Sequence, residues 1–236
     1  GLDLAHPDDA ARAGRAHRAL AQIDLTRLGD PATAGAHLES ALALQPRDVD
    51  ALRGLVGVYR QLGRHAELVS ALDRLAELVK MPAERAELLA EAGILCLERL
   101  SLPDAARARL TAAAQGDPRS RLALDGLARL AERSGDSNAE RDALSRLVLG
   151  AAGPEDEALI YDRLARACER AGDAHGAALA VAAARRTMAS DDRLGEALRL
   201  ARAAGDRATL STLLAERAQR AAASGQEVAA VAAWLE

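Results

Sequence analysis

Cysteine and histidine are the side chains that most often carry catalysis or bind metals, and their spacing in this chain favours neither role. The two cysteines, Cys96 and Cys168, lie about 72 residues apart, which matches no metal or redox motif. Both have apolar neighbours, so we expect buried structural thiols. The five histidines show no ligand spacing and are expected at the surface or at helix ends: His6, His17, His37, His65 and His175.

Sequence motifs of catalysis are absent. The chain has no G-x-S-x-G nucleophile motif, no phosphate-binding loop, no H-E-x-x-H zinc motif and no G-x-G-x-x-G dinucleotide motif. We therefore predict a non-catalytic protein with no catalytic residues, no cofactor and no metal site.

The charged residues have mixed signs. The chain contains 31 Lys and Arg against 35 Asp and Glu, for a net charge of −4. Interleaved charges of both signs give no basic surface for nucleic acid, and no apolar run is long enough to span a membrane. Lys80 is the only lysine. A preference for arginine is typical of GC-rich genomes, and we expect a bacterial source.

Alanine and leucine supply most of the apolar residues. Hydrophobic residues make up 50% of the 236 residues, yet there is no Phe and aromatic residues are only 1%. Ala and Leu favour helices, and a core built from them suits closely spaced helices better than a thick globular interior.

The sequence repeats itself at a shift of about 72 residues. Pro7, Pro82 and Pro154 fall into register, and an acid follows each within two residues. The other aligned sets are Gly29 with Ser101 and Gly172, Pro46 with Pro118 and Ala189, and Gly63 with Gly135 and Gly205. We predict one array over 1–236, with units at about 7–81, 82–153 and 154–225 and a partial fourth at 226–236.

Each unit divides into two helical hairpins. Glycine tolerates the left-handed conformation that ends a helix, and aspartate caps the first amides of the next helix. Pro31, directly after Asp30, is a favoured first helical residue. Between the dividers, apolar residues recur every three or four positions, which indicates helices. The dividers are Gly29-Asp30, Gly135-Asp136, Gly172-Asp173 and Gly205-Asp206, with Gly63-Arg64 as a variant.

These hairpins resemble tetratricopeptide repeats (TPR), whose pattern of about 34 residues sets small and large side chains at fixed positions of a helix pair. The pattern is fullest in the first, third and fifth hairpins, at about 15–48, 87–120 and 158–191. The resemblance implies an all-α, right-handed α-solenoid of about six hairpins plus a partial seventh. The residues that carry it are Leu25, Gly29, Ala34, Leu38, Ala41, Leu42, Pro46, Leu97, Ala106, Leu110, Ala113, Pro118, Tyr161, Leu164, Ala165, Gly172, Ala177 and Ala184.

The second, fourth and sixth hairpins depart from the pattern. They place Leu68, Glu140 and Leu210 where the pattern has alanine. Because small residues there let paired helices approach closely, we expect wider spacing in these hairpins and irregular coiling of the array. The two cysteines fall on inner helices two hairpins apart, which predicts that no disulfide joins them.

In TPR proteins, fixed positions on the first helix of each hairpin line a concave groove that receives peptides. Two interpretations stay open for the charged residues that the resemblance places there. Pairs such as Asp125–Arg129 and Asp162–Arg166 could be solvated ion pairs within one helix. The arginines could instead bind partner carboxylates in a bidentate manner. The candidate groove residues are Arg53, Arg60, Gln61, Arg99, Arg129, Arg133, Arg163, Arg166, Arg170, Arg199 and Arg202.

The C-terminal residues predict an incomplete hairpin. Trp234 falls near the first large position of a seventh motif, and Val228, Val231 and Leu235 share its apolar face. The chain begins with Gly1 rather than Met and opens with no signal peptide. We therefore expect a cytoplasmic fragment of a longer bacterial protein, and its truncated C-terminal face offers a surface for self-association.

Two functions follow from these features. The first is a non-catalytic scaffold that binds a protein or peptide partner in the groove. The alternative is a structural spacer or self-associating array within a larger multidomain protein. An RNA-reading array would need a basic face, and a clamp for chaperone tails would need lysine and asparagine in the groove. The only lysine and the only asparagine, Lys80 and Asn138, lie outside it.

Overall fold

The computed structural model of the protein describes residues 7–224, and in that part of the chain twelve α-helices follow one another. A π-helical turn, Asp24–Leu28, continues the first helix. The helices are α1 (Pro7–Ile23), α2 (Pro31–Leu44), α3 (Val49–Leu62), α4 (His65–Leu78), α5 (Pro82–Glu98), α6 (Pro103–Gly116), α7 (Arg121–Ser134), α8 (Ser137–Val148), α9 (Pro154–Arg170), α10 (Ala174–Thr187), α11 (Asp191–Ala204) and α12 (Arg207–Ala223).

Consecutive helices pack as hairpins. Helix α1 packs against α2, α3 against α4, α5 against α6, α9 against α10 and α11 against α12. Further contacts join successive hairpins, as between α2 and α3 and between α4 and α5. Over the described residues this confirms the predicted all-α array of hairpins. The predicted partial seventh hairpin, with Trp234, lies outside the described residues.

The chain divides into two compact units, Gly1–Leu130 (unit 1) and Ala131–Glu236 (unit 2). This division does not test the predicted units of about 72 residues, which stay a prediction. The irregular coiling expected of the array also stays a prediction.

The helix ends use the residues that the sequence pattern selected. Asp30 accepts hydrogen bonds from the amides of Ala32 and Thr33, and Asp136, Asp173 and Asp206 cap their helices in the same way. Gly29 ends the π-helical turn in the left-handed conformation, with φ of 64°. Ser101, which aligns with Gly29, is also left-handed, with φ of 55°. The variant divider differs, since the Arg64 side chain caps nothing; it binds Glu67 instead.

The core of unit 1 is built around leucines that enter spaces left by glycines. Leu110 of α6 is fully buried, and it lies between Gly93 of α5 and Gly126 of α7. A Cβ added at either glycine would come within 2.7 Å of the Leu110 side chain. Leu38 of α2 occupies the corresponding space above Gly54 of α3. These close approaches set the spacing of α6 against α5 and α7, and of α2 against α3.

The core of unit 2 uses smaller side chains and one buried acid. Ala165, Ala177 and Ala180 form one apolar cluster between α9, α10 and α11. Glu140 of α8, where the repeat pattern has alanine, is only 2% exposed. Its two carboxylate oxygens accept hydrogen bonds from Arg170 Nη2 at 2.7 and 2.8 Å. A buried carboxylate requires such a partner, so Arg170 acts here as part of the packing between α8 and α9.

Candidate functional site

The first helices of unit 1 line a cavity of about 580 Å³. Its floor is apolar, with Val56 of α3 and Leu75 of α4 both buried and Leu122 of α7 44% exposed. Charged side chains from α3 and α5 form its walls. The lining residues are Arg53, Val56, Leu75, Glu84, Glu87, Leu88, Glu91 and Leu122.

Ion pairs join α3 to α5 along this cavity. Arg53 Nη2 lies 2.6 Å from Glu84 Oε1, and Arg60 Nη2 lies 2.6 Å from Glu91 Oε1. Both arginines are half-exposed, so each pair contributes on the order of 0.2–1 kcal/mol. Their geometric effect matters more, because each guanidinium is directed along the groove wall toward the neighbouring helix.

A third pair joins α5 to α7. Arg129 Nη1 lies 2.6 Å from Glu98 Oε1, and its Nη2 lies 2.8 Å from Asp125 Oδ2 on the same helix. One guanidinium therefore serves one carboxylate between helices and another within α7. The predicted i,i+4 pair Asp125–Arg129 is confirmed, although it shares its arginine with α5.

Unit 2 repeats the arrangement between α9 and α11. Asp162 accepts hydrogen bonds from Arg193 Nη2 at 2.8 Å and Nε at 3.0 Å, and the pKa of Arg193 is raised by this contact. Glu169 pairs with Arg199, which also binds Glu196. Hydrogen bonds from Arg199 to these acids raise its pKa.

The predicted ion pair between Asp162 and Arg166 is wrong. The Asp162 carboxylate is taken by Arg193 from the next hairpin, and Arg166 Nε donates to the Asp162 backbone oxygen at 3.2 Å. The Asp162 carboxylate pairs with Arg193 and not with Arg166 because Arg193 reaches it with two nitrogens. Such bidentate hydrogen bonding is stronger than a single contact.

The structure places the predicted groove residues on first helices or at their ends, but it does not leave them as one free row. Arg53, Arg60, Arg129, Arg170 and Arg199 each bind a carboxylate of another helix. Arg133, Arg163 and Arg202 also have interaction partners. Gln61 and Arg99 are exposed at the ends of α3 and α5. A partner-binding role for this set stays a prediction.

The pairing of these arginines with acids of other helices was missed at the sequence level. Glu84, Glu91 and Glu98 lie 31 residues from their arginines, and Asp162 and Glu169 lie 31 and 30 residues from theirs. The sequence signal for these ion pairs would have been an arginine and an acid about one hairpin apart, on successive first helices. Only the packing of those helices shows that such side chains meet.

A second cavity, of about 510 Å³, lies in unit 2 between α10, α11 and α12. Alanine is the most frequent residue of its lining, as at Ala178, Ala182 and Ala197, and Leu179 of the lining is 57% exposed. No residue of the predicted groove set lines this cavity. The sequence analysis did not predict this cavity.

Two of the histidines form a contact that the sequence did not predict. His17 of α1 and His37 of α2 face each other, with their Nδ1 atoms 3.1 Å apart. One nitrogen must donate while the other accepts, so the two rings adopt complementary tautomers. His37 Nε2 lies 3.8 Å from Oδ2 of the buried Asp24. The contact ties α1 to α2.

Within residues 7–224, no group of three or more His, Cys, Asp or Glu side chains is arranged to hold a metal ion. Cys96 and Cys168 are free and buried, and burial raises the pKa of each thiol. Both findings confirm the predicted structural thiols, since a thiol with a raised pKa is a poor nucleophile. None of the described helices combines the length and hydropathy that crossing a membrane requires.

Neither a protein-family model nor a curated protein matches the sequence. Similar solved structures include the MamA protein, at 18% identity over 75% of this chain and 92% of that chain, with a TM-score of 0.58. YrrB, a TPR protein with an unusual peptide-binding site, is 13% identical over 75% of this chain and 87% of its own, with a TM-score of 0.55. PilF of Pseudomonas aeruginosa is 16% identical over 93% and 96%, with a TM-score of 0.50. At these identities the similarity establishes the fold, and the chain has the α-solenoid fold of TPR proteins.

Proposed function

We propose that this chain is a non-catalytic scaffold whose first helices bind a protein or peptide partner. The cavity between α3, α5 and α7 carries the proposal. It has an apolar floor, and its volume of about 580 Å³ falls within the roughly 300–1,000 Å³ that is usual for ligand pockets. Ion pairs between the helices hold its walls in place, which lowers the entropic cost of binding.

The similarity to TPR structures supports the same function. YrrB has this fold and a peptide-binding site, and in TPR proteins the first helices present the binding groove. The alternative function, a spacer or self-associating array, depends on the C-terminal face around Trp234, which lies outside the described residues.

A selection experiment tests the proposal. A displayed library of random 12-residue peptides is selected on the immobilised protein, and enriched peptides are measured by fluorescence anisotropy. Leu122→Asp places a charge on the apolar floor, and we expect it to weaken binding at least tenfold. Leu102→Asp is the matched control, because Leu102 is 50% exposed at the start of α6 and does not line the cavity.

Two results would contradict the proposal. In one, no peptide is enriched above a naive library. In the other, Leu102→Asp weakens binding as much as Leu122→Asp, which would place the bound peptide elsewhere. Circular dichroism of both variants shows whether they keep the helical fold.

A further inference from the structure

The charged side chains around the unit 1 cavity include more acids than arginines. This is the opposite of what a groove that binds partner carboxylates through free arginines would need. On the face formed by α3, α5 and α7, here called the α3–α5–α7 face, two guanidinium groups meet three carboxylates at the cavity. Both arginines are already bound by acids of the protein itself. These charged residues are Arg53, Arg60, Glu84, Glu87 and Glu91.

Glu87 is the centre of the acidic excess. It lies on the same side of α5 as Glu84 and Glu91, at helical spacings of three and four, and it lines the cavity. It is exposed, and no arginine or lysine of the described chain pairs with it. A carboxylate at the mouth of a partly apolar cavity attracts a cation more strongly than one in open water.

The paired carboxylates retain acceptor capacity as well. Glu84, Glu91 and Glu98 each bind their arginine through Oε1, and within the described residues no donor reaches Oε2 of any of them. A carboxylate can accept about four hydrogen bonds. A row of oxygen acceptors on α5 therefore borders the apolar floor, while the guanidinium donors are directed at protein acids.

The geometry points to a basic, apolar partner, and we propose that the α3–α5–α7 face binds a peptide segment with Lys or Arg on either side of an apolar side chain. The apolar side chain packs on Leu88 and Leu122, and the cations contact Glu87 and the Oε2 atoms of Glu84 and Glu91. This inference rests on the proposed function, because it names the class of partner for the same cavity.

The sequences of the selected peptides test it. We expect Lys and Arg to be enriched beside one or two apolar residues, and Asp and Glu to be depleted. For one such peptide, fluorescein-labelled, Glu87→Lys should weaken binding roughly tenfold, because it replaces an attraction with a repulsion. Raising the salt from 50 to 300 mM should weaken binding to the wild-type protein.

Glu77→Lys is the matched control. Glu77 is an exposed, unpaired acid of α4 that does not line the cavity, so the same change in net charge should leave affinity within about twofold. If Glu87→Lys and Glu77→Lys weaken peptide binding equally, the inference is overturned. The peptide would then be attracted by the net charge of the protein and not by the acids at the cavity.

The failure of this inference differs from the failure of the proposed function. If acidic peptides are selected and Leu122→Asp abolishes their binding, the scaffold function stands and the basic partner is wrong. If the selected peptides are apolar and Glu87→Lys does not change their affinity, the scaffold function again stands and the basic partner is again wrong. If no peptide is enriched at all, both proposals fail together.

Discussion

The two units fill equivalent positions with side chains of different size. In unit 1, Leu110 of α6 enters the space beside Gly93 of α5. In unit 2, the aligned helices α10 and α9 carry Val181 in place of this leucine and Ala165 in place of this glycine. Val181 and Ala165 are both buried in one apolar cluster. Core volume is therefore moved from the second helix of the hairpin to the first, as interiors tolerate when total volume is kept.

The units also differ in how they satisfy polar groups at the core. In unit 1, the buried Tyr59 donates its hydroxyl proton to Glu39 Oε1 at 2.8 Å. In unit 2, the buried group is the Glu140 carboxylate, which binds Arg170. A neutral hydroxyl can lose its partner at modest cost, while a buried carboxylate cannot. Unit 2 thus uses Arg170, a predicted groove residue, in packing, whereas Arg53 and Arg60 at the unit 1 cavity pair with partly exposed acids.

The largest expected effect comes from removing the leucine of unit 1. Leu110→Ala should lower the free energy of unfolding by about 3 kcal/mol, because the two flanking glycines cannot fill the space. Adding Gly93→Ala to Leu110→Val would reproduce the alanine–valine arrangement of unit 2, and the double variant should lose at least about 1 kcal/mol less than the sum of the two single losses. Urea denaturation of the single and double variants measures both values. If the losses of unfolding free energy of the two single variants simply add in the double variant, the side-chain arrangement of unit 2 cannot replace that of unit 1.

Breaking the buried ion pair of unit 2 should have the next largest effect. Arg170→Gln leaves the Glu140 carboxylate buried without its cation, and it should cost about 2 kcal/mol of unfolding free energy. Glu140→Ala restores the residue of the repeat pattern and should change stability by less than about 1 kcal/mol. In the double variant the cost of Arg170→Gln should largely disappear. A cost that persists without Glu140 would assign Arg170 a different role.

Tyr59 of unit 1 should make the free energy of unfolding depend on pH only in the alkaline range. Burial, with the hydrogen bond to Glu39, raises the pKa of Tyr59 to about 12. In the unfolded chain the hydroxyl ionises near pH 10. Its contribution is therefore complete below pH 10 and falls as pH rises from 10 to 12. Tyr59→Phe should remove up to about 2 kcal/mol of the alkaline decline in unfolding free energy, and equal slopes for both proteins would contradict this.

The smallest expected effect is a gain in unit 2. Ala182→Leu places a larger apolar side chain at the edge of the unit 2 cavity, where filling apolar space should add up to about 1 kcal/mol of unfolding free energy. Thermal denaturation by circular dichroism measures the change. A loss of more than about 1 kcal/mol would mean that the cavity closes in solution.

Local signals in the sequence predicted most of the fold. Gly-Asp dividers, helix-initiating prolines and apolar spacings of three and four placed the helices, since caps and amphipathic faces act within one or two turns. The candidate groove residues were also placed on the correct helices. Their ion pairs could not be predicted in the same way. The Asp162–Arg166 interpretation used neighbours along one helix, while the carboxylate was bound from the next hairpin.

The sequence by itself determined the hairpins, their boundaries, the burial of Cys96 and Cys168 and the arginine-rich first helices, because these depend on contacts close along the chain. Only the tertiary structure decided how those arginines are used. Successive first helices bring each guanidinium beside an acid about 31 residues away, and the acids outnumber the arginines around the unit 1 cavity. Net charge and residue type are properties of the chain, but the charge that a partner meets depends on which side chains the packing has already paired.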